Sequence, residues 1–130
     1  MLSGGVGISP FRGMIRYVSD KRLELPIILI HSNRVPEEIP FGNELGTLLS
    51  RIGNSKVIHT ITSPKESGVA WDGRQGRINA ELIREEVKAV TNLCFYIAGQ
   101  PAFVNSMATL LQRELGVPSR EIRQETFRGY

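Results

Sequence analysis

The chain has 130 residues, enough for one domain and too few for two, and its 41% hydrophobic and 22% charged residues exclude disorder and fibrous repeats. The net charge of +3 comes from basic and acidic residues that are scattered rather than blocked, so nucleic acid is not an expected partner. The single cysteine, Cys94, excludes an internal disulfide and a multi-cysteine metal centre; no metal site is expected, a reducing, cytoplasmic setting is the default, and no apolar run approaches the length of a membrane span.

In chain order the first element is a strand cut short, because only Met1, Leu2 and Ser3 precede the first glycine. The glycine-rich turn Gly4 to Pro10 leads into a helix whose apolar face is Phe11, Met14, Ile15 and Val18. Ile27 to Ile30 is continuously apolar, as a strand buried on both faces should be, and the apolar stretch from Leu25 has strand length. Glu37 and Glu38 suit the opening of a helix, and Leu45, Leu48, Leu49 and Ile52 repeat at helical spacing. Lys56 to Ser63 is rich in Val, Ile and Thr and reads as a third strand. Asn79 suits the N-cap of a helix carrying Leu82, Ile83, Val87 and Val90. Cys94 to Ala98 is a second fully apolar strand, in which Cys94 reads as a core residue. Pro101 then opens a helix with Phe103, Met107, Leu110, Leu111 and Leu115 on one face, and Gly116 suits its end. An extended piece, Ile122 to Phe127, follows. Strands alternating with helices predict an α/β domain with a parallel sheet, whose ligands belong at the carboxyl ends of the strands.

Two strand-to-helix turns carry glycine. In Gly4-Gly5-Val6-Gly7-Ile8-Ser9-Pro10 the glycines allow close backbone approach to a ligand, and the following helix offers free N–H groups to a pyrophosphate. The third glycine of a dinucleotide fingerprint is replaced by Pro10, which leaves a simple tight turn as the other reading. Ala98-Gly99-Gln100-Pro101 is the second such end, and two of them side by side would enclose one ligand. After the Ile27 strand comes His31-Ser32-Asn33-Arg34, with no acid at the strand end; Arg34 leans the reading toward a phosphorylated ribose, with a solvated surface arginine as the other reading. His31 and His59 read as packed or hydrogen-bonded structural histidines, and Trp71 as cover for the core in preference to a stacking partner for adenine.

Taken together, Gly4 to Arg12, Ser32-Asn33-Arg34 with Ile39-Pro40-Phe41 and Glu44-Leu45, Trp71-x-Gly73-x-x-Gly76-Arg77-Ile78, Tyr96 to Pro101, and Glu125-x-Phe127-x-Gly129-Tyr130 resemble the NAD(P)-binding domain of the ferredoxin-NADP reductase superfamily. The resemblance implies a three-layer, Rossmann-like parallel sheet of about five strands with a shortened first strand. It also implies NADP or NAD as cofactor, and FAD or FMN held by a separate barrel domain or chain that exchanges hydride with the nicotinamide. Residues 1–130 would then be the NAD(P)-binding reductase domain, a fragment of a larger or two-chain flavoprotein that does not turn over alone.

Carried over by motif, Gly5, Gly7, Ser9 and Pro10 would line the nicotinamide and pyrophosphate, with Ser9 near the hydride path. Gly99 and Pro101 would form the opposite wall, Ser32, Arg34 and Ser63 would reach the adenosine end, and Glu125 and Phe127 would face the flavin. Two positions depart from the family pattern. Ala98 stands where many relatives have a cysteine, and Ser63-Pro64 stands where plant-type members have a Ser-Arg pair for the 2'-phosphate. The choice between NADPH and NADH is therefore open, with Lys65 or Arg77 as substitutes for that arginine. Beyond the dinucleotide, the implied partners are the flavin domain or subunit and an electron-carrier protein. The short first strand adds an expectation of self-association or of an upstream segment that completes the sheet. The alternative is a non-catalytic module that uses the same cleft to bind nucleotide or dock a partner.

Overall fold

The computed structural model describes residues 1–128, so Gly129 and Tyr130 of the last motif lie outside the described residues. The strands are β1 (Leu2–Gly4), β2 (Ile28–Asn33), β3 (Lys56–Ile61), β4 (Arg74–Gln75), β5 (Phe95–Gly99) and β6 (Ile122–Thr126). The helices are α1 (Ser9–Asp20), α2 (Gly42–Ser50), α3 (Ala80–Val87) and α4 (Pro101–Arg113). All strand pairs are parallel, in the order β4-β3-β2-β1-β5-β6. The sheet thus grows in one direction from β1 to β4 and in the other from β5 to β6.

The pleat sorts the core into two halves. Leu29 of β2 and Ala98 of β5 face one side, where Phe11, Ile15 and Val18 of α1 and Leu45, Leu48 and Leu49 of α2 pack on them. Ile30 and Ile97, one position removed, face the other side, beneath Leu82 and Ile83 of α3 and Val104, Met107 and Leu111 of α4. This is why β2 and β5 read as unbroken apolar runs: each strand has a helical layer on both faces. Local punctuation falls where the sequence puts it. Prolines occupy the first turns of α1 and α4, and Asn79 accepts a hydrogen bond from the Leu82 N–H, 2.8 Å away. Gly116, at φ +65°, reverses the chain so that the Val117 N–H reaches the Leu111 carbonyl.

Five expectations are corrected. The sheet has six strands rather than about five, because the Trp71 loop contributes the two-residue strand β4. β2 lies further along the chain than its apolar run: Leu25 is 55% exposed, and the strand continues through His31 to Asn33. Cys94 precedes β5 and is exposed, since the first buried position of that strand is Phe95. Glu37 and Glu38 belong to a single 3-10 turn, Pro36–Glu38, and α2 starts later, after Phe41 in a left-handed conformation (φ 58°). Trp71 covers its own loop rather than the core, lying against Gly73 with its indole N–H on the Arg74 carbonyl at 2.8 Å.

β1 is as short as expected, yet its start is not bare. Leu2 pairs with Ile30 and Ile97, and just before it the Met1 carbonyl accepts from the Ile30 N–H while its amino group donates to the Ile28 carbonyl. Among the described residues no helix is long and apolar enough to cross a membrane.

Candidate functional site

Parallel pairing puts every strand's carboxyl end on one edge of the sheet, and the direction of growth reverses between β1 and β5. Ligands of open α/β sheets bind at such a reversal, and both glycine turns are there. β1 runs through Gly4 into a 3-10 turn, Gly5–Ile8, and then α1; β5 runs through Gly99 directly into α4.

The glycines divide the work. Gly5 adopts φ +53°, a left-handed conformation that strains any residue with a β-carbon, and a β-carbon there would project into open space. Gly7 does not face that space. A β-carbon on it would stand 2.5 Å from the Ala98 carbonyl oxygen and 2.6 Å from the Gly99 Cα, so Gly7 is what lets the first turn lie directly on the end of β5. Gly4 and Gly99 are both overlaid by the Phe103 ring, which would be 3.0 Å and 2.9 Å from their β-carbons.

Beside this junction opens a cleft of about 410 Å³ lined by Gly5, Val6, Ser32, Arg34, Thr62 and Phe103, among others. Thr62 also borders a second cleft of about 550 Å³, which Ser63, Lys65, Gln75 and Gly76 line. The two run from the first glycine turn across the ends of β2 and β3 to β4. An elongated ligand fits such a trough better than a compact one.

The structure gathers the expected site residues into three groups. Gly5, Ser32 and Arg34 line the first cleft, and Ser63 lines the second. Gly7, Gly99 and Phe127 form the junction behind them: the Phe127 N–H donates to the Gly99 carbonyl at 2.9 Å, and its ring packs on the cluster containing Ile8 and Ala98. Ser9, Pro10 and Pro101 start the two helices, where the Ser9 hydroxyl donates to the Val6 carbonyl and neither helix has a side-chain N-cap among the described residues. Glu125 is exposed on the outer strand β6, in register with Ala98.

Arg34 is not a solitary cation. It pairs with Glu38, 3.1 Å away, and with Glu66, while Glu37 accepts from the Ser67 hydroxyl and the Gly68 N–H. These bonds stabilise the charged carboxylate and hold Glu37 below the usual range, the Ser67 bond contributing most. The segment after β2 and the turn after β3 are thereby tied together along the trough.

Two contributors, Phe103 and Thr62, carry no site signal in the sequence, where Phe103 stands only in a helix stripe, and Glu38 has a partner, Arg34, that its sequence position does not announce. His31 is fully buried, with Nε2 2.9 Å from the Gly5 carbonyl oxygen. Burial pushes its imidazole down to about 4, against the Gly5 carbonyl, which favours the charged ring; His59, whose ring centroid is 5.7 Å away, adds to the lowering.

A family model described as the oxidoreductase NAD-binding domain matches residues 1–109. The glycine betaine monooxygenase reductase subunit of Pseudomonas aeruginosa is 31% identical over 85% of this chain and 30% of its own length. The nitrate reductase [NADPH] of Emericella nidulans is 38% identical over 65% of this chain, which is 10% of that protein. The chain therefore spans about a third or less of these relatives. Among solved structures, the flavohemoglobin of Malassezia yamatoensis with bound FAD and heme superposes with a TM-score of 0.80 at 24% identity, over 98% of this chain and 30% of that one. The CS-b5R domains of human Ncb5or in the NAD+ form also give a TM-score of 0.80, at 23% identity over 96% of this chain and 35% of that one. Those structures share the fold, and the sequence match reaches from the first glycine turn through the second; the chain belongs to the oxidoreductase NAD-binding domain family.

Proposed function

We propose that this chain binds a nicotinamide dinucleotide along the trough and presents its nicotinamide to a flavin carried by a separate barrel domain or subunit, so that hydride passes between them. The observation that carries this reading is the Gly5 turn, left-handed and open, facing the first cleft at the reversal of strand order. The residues fit a long anionic ligand: backbone N–H groups of the Gly5–Ile8 turn and at the start of α4 suit a pyrophosphate, and hydroxyls of Ser32 and Ser63 suit ribose. The nicotinamide supplies the hydride chemistry when bound; the protein positions it and excludes water. On this reading Gly7 and Gly99 fix the floor of the nicotinamide end, Pro10 and Pro101 start the flanking helices, and Ser9 offers a hydroxyl beside the ring. Glu125 and Phe127 stand on the side that meets the flavin.

The dinucleotide preference turns on Arg34. A 2'-phosphate would have to displace Glu38 or Glu66 from the guanidinium, so the arrangement favours the unphosphorylated ribose of NADH. The flavin-bearing domain is the principal partner, and FAD or FMN reaches the reaction only through it. An electron-carrier protein on the flavin side and a second copy of this chain are further partners, and an exposed thiol at Cys94 suits the reducing cytoplasm. Sedimentation of the chain with and without a flavin-bearing partner separates self-association from a two-domain complex.

The deciding experiment is calorimetric titration of the chain and its Gly5→Ala variant with NADH. One site is expected in the native chain, weakened about tenfold or more in the folded variant, because the added methyl group enters the cleft and strains the turn. Equal affinities would move the site elsewhere.

A further inference from the structure

His31 is fully buried at the edge of the trough, and burying an imidazole is costly unless its nitrogens have partners. The pleat places it on the α1 and α2 side of β2, in register with Ser3 of β1 and His59 of β3. Its Nε2 is 2.9 Å from the Gly5 carbonyl oxygen, 26 residues earlier in the chain. A carbonyl can only accept, so Nε2 carries the proton. Nδ1 is then the acceptor, and the Asn33 side-chain amide, 3.3 Å away and itself buried, donates to it. The Asn33 amide nitrogen stands 3.3 Å from both ring nitrogens, so it is the Gly5 carbonyl that selects the Nε2–H tautomer, which leaves Nδ1 to accept from Asn33.

Holding that carbonyl matters because of the peptide it belongs to. Gly5 has no β-carbon and sits at φ +53°, so the peptide joining it to Val6 is oriented by the 3-10 turn it opens and by the bond to His31, not by any side chain of its own. In a trans peptide the C=O and N–H point in opposite directions. With the Gly5 oxygen drawn onto buried His31, the Val6 N–H is turned the other way. Val6 is also the second residue of a 3-10 turn, where the N–H has no carbonyl partner within the turn, and it lines the 410 Å³ cleft.

We propose that His31 is a positioning residue of the nucleotide site, whose Nε2–H pins the Gly5 carbonyl and so aims the Val6 N–H at the pyrophosphate of a bound dinucleotide. The proposal rests on the nucleotide-binding reading above and adds the residue that prepares its anion contact. It distinguishes His31 from His59, which stands next to it in the sheet but has no bond to the turn among the described residues. It also makes a buried histidine matter to affinity without touching the ligand.

The test titrates the full chain with ADP-ribose, which carries the pyrophosphate without nicotinamide, and with adenosine, which carries neither. His31→Leu keeps volume and removes the donor; it should bind ADP-ribose about tenfold more weakly while adenosine changes less than twofold. His31→Gln, whose amide retains an N–H, should recover at least part of the loss. Native affinity for ADP-ribose in folded His31→Leu, or equal losses for both compounds, would overturn the proposal. Should His31→Leu not fold, amide and imidazole 15N resonances of the native chain decide: ADP-ribose should shift both the Val6 amide and the His31 Nε2 signal, and a stationary Val6 amide would overturn it. A native chain that binds neither compound would instead reject the nucleotide-binding reading, and this proposal with it.

Discussion

A β-carbon on Gly7 meets backbone atoms of β5 that have no rotamer to yield, whereas one on Gly5 meets nothing. Gly7→Ala should therefore cost about 1–3 kcal/mol of stability, as overpacking does, and lower the thermal midpoint whether or not nucleotide is present. Gly5→Ala should cost only its left-handed strain, about 1–2 kcal/mol, while directly weakening binding. Thermal unfolding of both variants with and without NADH separates the two roles, and a Gly7→Ala protein as stable as the native one would refute the packing assignment. His31 gives a pH dependence with a definite sign. Its ring is neutral in the folded chain down to about 4, whereas in the unfolded chain it takes a proton near 6.5. Between those values the unfolded state holds more protons, so the contribution of His31 is complete above 6.5 and is lost as the pH falls toward 4; at pH 5 its loss is about 2 kcal/mol. Burial lowers His59 as well, which adds in the same direction. The buried Met1 amino group, pushed down from 8.0 to about 5 by burial, adds in the same direction, so chemical denaturation at pH 7.5 and pH 5 should show a slope that His31→Gln makes shallower without abolishing; parallel slopes would remove His31 from the explanation. Arg34 makes the third case at this scale. Glu66→Gln should free part of its guanidinium and raise NADPH affinity relative to NADH several-fold, which competitive titration measures. An unchanged ratio would show that Glu66 plays no part in the choice.

The elements show what a sequence can and cannot reveal about this fold. The starts of α1, α3 and α4 were legible because capping is local: Pro10, Pro101 and Asn79 act on backbone groups within a few residues of themselves. Asn79→Ala should accordingly cost about 1 kcal/mol in denaturant unfolding, and an unaltered midpoint would mean that the cap contributes nothing to α3. β4 was not legible, since two exposed residues have no period; its place depends on β3 beside it and on the buried Thr60 hydroxyl donating to the Gly76 carbonyl at 2.6 Å. The site divides in the same way. Its glycine turns announce themselves through residue types that few other conformations need. The contacts that shape the trough do not: His31 reaches Gly5 across 26 positions, Arg34 reaches Glu66 across 32, and Phe103 overlies glycines from two different strands. Such partners are fixed by strand order and register, which a helical or strand period does not encode. The apolar run from Leu25 misled for a related reason, because hydrophobicity marks burial of a segment but not the residue at which pairing starts.

In the whole molecule, a parallel sheet with helices on both faces buries its central strands, and their carboxyl end is where strand order reverses, two glycine turns touch and the trough opens. The central claim is that a nicotinamide dinucleotide lies along that end and nowhere else. Amide chemical shifts of the isotope-labelled chain, followed during titration with NADH, test it most directly. The predicted result is saturable shifts confined to Gly4–Ile8, Ser32–Arg34, Thr62–Ser63 and Gly99–Phe103, which lie far apart in sequence and together in the fold. Shifts confined instead to α3 or to the amino ends of the strands, or no saturable shift at all, would contradict it.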